Sequence, residues 1–291
     1  MNSIKGSWVA LVTPFGQDGQ IDFAALEKLV SIHMAAKTDG LVICGTTGES
    51  ATLCFDEKKA LMQAVKRQIA GQIALMFGTG SNDTRATCEL TNKAAELGAE
   101  AVLVVTPYYN KPTQEGLKLH FKAVAAETVL PVVLYNVPGR TGCNMIADTT
   151  LELAEVSNIV AVKEASGNLD QAMEIIRRAP PGFTLLSGED ALNLPIMACG
   201  GVGTISVTAN VAPVLMKKFN DAALNGDWNT ARAIHFKLLD LHRGLFVETN
   251  PLPTKAVLAN RGLMTDLARL PLCQPTAKTR ELMQKIAADL E

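Results

Sequence analysis

Eight short apolar runs, the early ones each followed by a stretch of helical period, constrain this chain more than any other feature. The runs are 9–12, 41–44, 73–77, 101–105, 132–135, 159–163, 183–186 and 202–206. They do not alternate apolar with polar residues, which marks strands covered on both faces, as in a parallel sheet. Segments 23–36, 56–69, 82–97, 114–128 and 148–156 carry helical periodicity between them. Asp22, Asp56, Ser81, Thr113 and Asp148 stand at or near their starts, where a side-chain oxygen can accept from unpaired backbone amides. After Thr208 the strand rhythm stops and helical patterning continues towards Glu291, broken at Gly226 and around 250–253.

About eight βα units predict an α/β fold, a TIM (β/α)8 barrel over 1–208, with the last barrel helix and a C-terminal helical extension over 209–291. The chain's 291 residues and 48% hydrophobic content suit one such domain, and no linker or charge block marks a hinge. An open doubly wound sheet is the competing fold. Its dinucleotide-binding version wants GxGxxG after the first strand, where this chain has TPFGQDG. A formal net charge of -2 gives no basic field to attract nucleic acid or anionic lipid. No apolar run approaches the roughly 20 residues needed to span a bilayer, and the N-terminus lacks the succession of a signal peptide. A cytoplasmic protein acting on small molecules is expected. Its six cysteines are scattered without a CxxC pair, and read as reduced thiols, mostly buried. His33, His120, His235 and His242 fall in helical stretches and read as surface or packing residues.

In such a barrel the chemistry sits at the carboxyl ends of the strands and in the loops that follow. Lys163 is the sharpest candidate, because NIVAVK places an amine at the end of an apolar strand. Desolvation favours the neutral form, the nucleophile that attacks a ketone to give an imine. The competing reading is a structural ion pair with Glu164 or another carboxylate. GTTGES, at 45–50, offers exposed amides and the hydroxyls of Thr46 and Thr47 to a carboxylate, or else is an ordinary βα turn. All three tyrosines, Tyr108, Tyr109 and Tyr135, fall near strand ends. Linked with a threonine, such phenols can relay protons; otherwise they line a loop or an interface. Arg140, on the loop VPGRTG, carries a planar fork suited to a substrate carboxylate, though a loop arginine is commonly just solvated. SGED at 187–190 holds two acids, but the rest of the set supplies no histidine or further acid, so no metal and no other cofactor is expected. The glycine run 200–203 precedes its strand and belongs to the opposite, structural end of the barrel.

GTTGESATL, TPYYNKP, LYNVPGRTG, VKEASGN, SGED, ISVTANVAP and ETNPLPTK, in that order, resemble the dihydrodipicolinate synthase family along essentially the whole chain. GxxGE and the strand-six lysine alone would indicate only the wider pyruvate-aldolase superfamily. The resemblance implies condensation of pyruvate with L-aspartate 4-semialdehyde on the route to diaminopimelate and lysine. It implies a pyruvate Schiff base on Lys163 and a proton relay of Thr46, Tyr109 and Tyr135, with Tyr109 serving a neighbouring subunit. It assigns the pyruvate carboxylate to Thr47, Gly188 and the backbone at Ile205, and the semialdehyde carboxylate to Arg140. A homotetramer, a dimer of dimers, is the implied assembly. The runner-up is another pyruvate-imine lyase acting on N-acetylneuraminate or a 2-keto-3-deoxy sugar acid; a barrel that binds a keto acid without turnover is the third. Ser50, Ala51, Asn82 and Tyr108 fit the family's lysine-inhibition pattern, whereas Phe55, Lys58 and Ala86 depart from it, so weak or absent lysine inhibition is expected.

Overall fold

The computed structural model describes residues 4–290. Eight strands, β1 (Gly6–Ala10), β2 (Gly40–Ile43), β3 (Ala74–Gly78), β4 (Ala101–Val105), β5 (Val132–Asn136), β6 (Ile159–Glu164), β7 (Thr184–Ser187) and β8 (Gly203–Ser206), close into a barrel in chain order. The pairings within it are parallel, as at β5–β6 and β6–β7. Strands β1, β2 and β5 are buried at every residue, which is why their sequences do not alternate.

The intervening helices are α1 (Phe23–Ala35), α2 (Phe55–Ile69), α3 (Thr84–Glu96), α4 (Gln114–Ala126), α5 (Pro138–Thr141), α6 (Ala147–Ala154), α7 (Leu169–Arg178) and α8 (Asn193–Ala198). Beyond β8 come α9 (Pro213–Leu224), α10 (Trp228–Gly244), α11 (Leu252–Asn260) and α12 (Ala277–Ala288). The expected breaks at Gly226 and 250–253 are present. The unpatterned connection between α11 and α12 is a further interruption that helical periodicity did not reveal. Among the described residues no helix is long and apolar enough to cross a membrane.

Local chemistry explains where elements start. Asp22 accepts from the Ala25 amide and Thr113 from the Gly116 amide, as expected of N-caps. Elsewhere the cap is displaced: Cys54, Asp83 and Ile146 occupy the cap positions of α2, α3 and α6, rather than Asp56, Ser81 and Asp148. At α2 the carboxylate of Glu57 reaches back to the Cys54 amide at 2.9 Å, so an acid in the first turn does the capping. Strand β1 begins three residues before the apolar run. The Gly6 amide bonds to the Val202 carbonyl, and a Cβ on Gly203 would lie 2.3 Å from the Gly6 oxygen, so neighbouring backbone dictates that start.

The cysteine expectation needs correction. All six thiols are free, but only Cys44 and Cys143 are buried; Cys88 is half-buried and Cys54, Cys199 and Cys273 are exposed. Cys54 and Cys199 sit at helix ends and Cys273 in the α11–α12 connection, positions that face outward. All four histidines are buried packing residues.

The described chain divides into two compact units. One takes in the residues up to Gly6 and runs from Leu75 to Ile205; the other runs from Ser7 to Ala74 and from Ser206 onward. The first carries Lys163, Tyr135, Tyr109, Arg140, Gly188 and Ile205, and the second carries Thr46 and Thr47.

Candidate active site

In the first unit, β5 and β6 align so that Tyr135 stands opposite Lys163 and Asn136 opposite Glu164. Lys163 is 5% exposed, and its Nζ lies 4.1 Å from the centroid of the Tyr135 ring. A buried amine thus stands beside a phenol at the carboxyl end of a barrel strand. Glu164 does not serve as its ion-pair partner. The Glu164 carboxylate accepts from the Ser166 amide at 2.7 Å, from Asn136 Nδ2 at 3.2 and 3.3 Å and from Gln171 Nε2 at 3.1 Å. Burial raises the Glu164 carboxyl above its ordinary range, and these donors pull against that rise.

Gly188 follows β7, and the reason for a glycine is spatial. A Cβ there would lie 2.8 Å from Lys163 Cε and 2.9 Å from Lys163 Cγ. Next to it, burial and the charge of Asp190 raise the Glu189 carboxyl, while Lys163 lowers it. Asp190 accepts from Asn193 Nδ2 at 3.0 Å, so this acid is committed locally. Ile205 lies in β8 and is buried.

Arg140 sits in the single turn α5, which Pro138 starts and Gly142 ends in the left-handed region at φ 69°. Thr141 braces this turn, its Oγ1 donating to the Cys143 carbonyl at 2.9 Å. Tyr109 has φ 74° and is 88% exposed on the single chain.

In the second unit the loop after β2 carries Thr46 and Thr47 between Cys44 and Glu49, both of which hold positive φ, 54° and 53°. Thr47 is buried and accepts from Asn250 Nδ2 at 2.9 Å. A Cβ on Gly48 would press on the Leu11 carbonyl at 3.1 Å, and Thr13 Oγ1 donates to the Gly48 carbonyl at 2.7 Å. Glu49 meets Lys255 Nζ at 2.5 Å, with both side chains essentially inaccessible. Burial lowers the Lys255 ammonium, and Glu49 raises it in opposition. Asn250, Lys255 and Arg269, which fix this loop, were not among the sequence-derived candidates. The one signal that could have found the first two was the ETNPLPTK run itself.

A closed parallel barrel with a primary amine buried at the carboxyl end of its sixth strand is the architecture that an aldolase-type lyase of the imine-forming class requires. The chain belongs to the dihydrodipicolinate synthetase family, whose family model matches residues 3–290. A 4-hydroxy-tetrahydrodipicolinate synthase of Ralstonia nicotianae is 48% identical over 289 residues, covering 99% of this chain and 98% of that protein. Among solved structures, the chloride-inhibited dihydrodipicolinate synthase from Acinetobacter baumannii, complexed with pyruvate, aligns with a TM-score of 0.97 at 42% identity over 99% of each chain. The lysine-bound enzyme from Cyanidioschyzon merolae aligns with a TM-score of 0.95 at 41% identity over 100% of each chain.

Proposed function

We infer that this chain is a 4-hydroxy-tetrahydrodipicolinate synthase, condensing pyruvate with L-aspartate 4-semialdehyde. The observation that carries the reading is the Lys163 amine, 5% exposed, with its Nζ 4.1 Å from the Tyr135 ring. In the reaction the amine adds to the pyruvate ketone and water leaves, giving an imine. Loss of a methyl proton converts the imine to an enamine, whose carbon attacks the aldehyde. Each step moves a proton, and a phenol beside the amine is suited to donate and accept it. The commitment of Glu164 to Asn136, Ser166 and Gln171 supports a chemical role for Lys163 over a structural ion pair.

The remaining assignments follow from the family resemblance. Thr46, Tyr109 and Tyr135 relay protons; Thr47, Gly188 and the Ile205 backbone hold the pyruvate carboxylate; Arg140 takes the semialdehyde carboxylate. The exposure of Tyr109 supports a ring that serves a neighbouring copy, and with it a homotetramer built as a dimer of dimers. The reading also carries a cytoplasmic location and weak or absent lysine inhibition. Lys58 in place of a neutral ligand group repels a cation, and Ala86 offers no acid to attract one. A lysine titration should leave most of the activity at physiological concentrations, and strong inhibition there would overturn that last assignment.

The deciding experiment is borohydride reduction in the presence of pyruvate, with the adduct located by mass spectrometry. Labelling is expected at Lys163, and Lys163→Arg should lose both the label and turnover. An unlabelled Lys163, or full turnover in the arginine variant, would sink the reading.

A further inference from the structure

Thr47 is 2% exposed and Asn250 4%, and Asn250 Nδ2 donates to Thr47 Oγ1 at 2.9 Å. The other end of the same amide is engaged, since Asn250 Oδ1 accepts from Thr254 Oγ1 at 3.4 Å. In this arrangement the amide nitrogen faces Thr47 and the amide oxygen faces Thr254. A threonine hydroxyl has one proton to donate and two lone pairs to offer. Because Asn250 donates to it, the Thr47 oxygen gives up a lone pair there and keeps its proton for another partner. A carboxylate, which only accepts, is the ligand such a hydroxyl favours.

The backbone beneath Thr47 is pinned by the same region of the chain. The Glu49 carboxylate meets Lys255 Nζ at 2.5 Å with one oxygen and accepts from the Arg269 amide at 3.0 Å with the other. Lys255 Nζ also donates to the Leu267 carbonyl at 2.7 Å. Breaking a pair this deeply buried is costly, so Glu49 ties the loop to α11 and to the connection that follows it.

We propose that Asn250 is a positioning residue that acts through Thr47, reserving that hydroxyl's proton for the carboxylate of a bound 2-keto acid. The inference rests on the reading that Thr47 holds the pyruvate carboxylate and Lys163 its ketone carbon.

The test is a double-mutant cycle read as the pyruvate concentration giving half-maximal borohydride-trapped Lys163 adduct. Wild type, Asn250→Ala, Thr47→Val and the double variant are compared. Asn250→Ala should raise the half-point about threefold to tenfold when Thr47 is present, and less than about 1.5-fold in the Thr47→Val background. A purely structural Asn250 would act equally in both backgrounds, and that result overturns the proposal. So does a Thr47→Val half-point equal to that of wild type. The near-isosteric Asn250→Asp carries the test should the alanine variant fail to fold. It offers the hydroxyl only acceptors, draws its proton inward, and should raise the half-point more than about tenfold; an unchanged value again overturns the proposal. Absence of any wild-type adduct would overturn the imine reading and this inference together, whereas a normal wild-type adduct with equal factors overturns the role of Asn250 alone.

Discussion

At residue 188 the molecule has room for a hydrogen and nothing larger. Any side chain there would press on Lys163 at 2.8 Å and on the Ala165 Cβ at 2.9 Å, both on or just past β6. Gly188→Ala should therefore displace the amine rather than unfold the barrel. Turnover should fall by at least about a hundredfold, given the sensitivity of bond formation to misplacement of about 1 Å. Steady-state kinetics beside a circular-dichroism melt checks this, and wild-type activity with an unchanged melt would contradict it. Lys163 itself is legible in the sequence, because a charge interrupting an apolar strand end needs a reason. Asn250 is not. An amide before a proline reads as a turn residue, and its partner Thr47 lies 203 positions away.

The connection between α11 and α12 shows what holds an element that periodicity cannot foresee. Arg269 donates to the Gly19 and Thr52 carbonyls and forks onto the Glu57 carboxylate, holding that acid at a pKa of about 2. Lys255, in α11, is paired with Glu49 while its Nζ lies 4.4 Å from the Phe15 ring. Lys255→Met should cost about 3–5 kcal/mol of unfolding free energy, since it leaves the Glu49 carboxylate buried without its cation. Adding Glu49→Gln should recover part of that loss. Urea denaturation of the three variants measures it, and a Lys255→Met midpoint equal to wild type would show that the pair does not hold the fold. Helix starts followed the same logic on a smaller scale. An acid near the start was readable at α2 and α6, but which residue takes the cap position depended on how the preceding loop approached.

For the whole molecule, burial sets the response to acid. His33 and His120 are both buried and pushed down to about 4, so the folded protein keeps them neutral where an unfolded chain protonates them near 6.5. The unfolded state binds the extra protons. The contribution of these two histidines to stability should therefore be full above pH 6.5 and be lost as pH falls towards 4, with His33→Gln flattening part of that slope. Urea midpoints across this range test it, and a midpoint that rises on acidification would contradict it. The barrel, the strand carrying the amine and most of the candidate-site loops are already legible in the order of residues, because apolar periodicity and strand-end chemistry are local properties. Which acid pairs with which amine, which cysteines face outward, and that Asn250 and Lys255 hold the Thr47 loop emerge only on folding. Those choices depend on which distant side chains meet once water is excluded, and burial then makes every unmet hydrogen bond or charge costly.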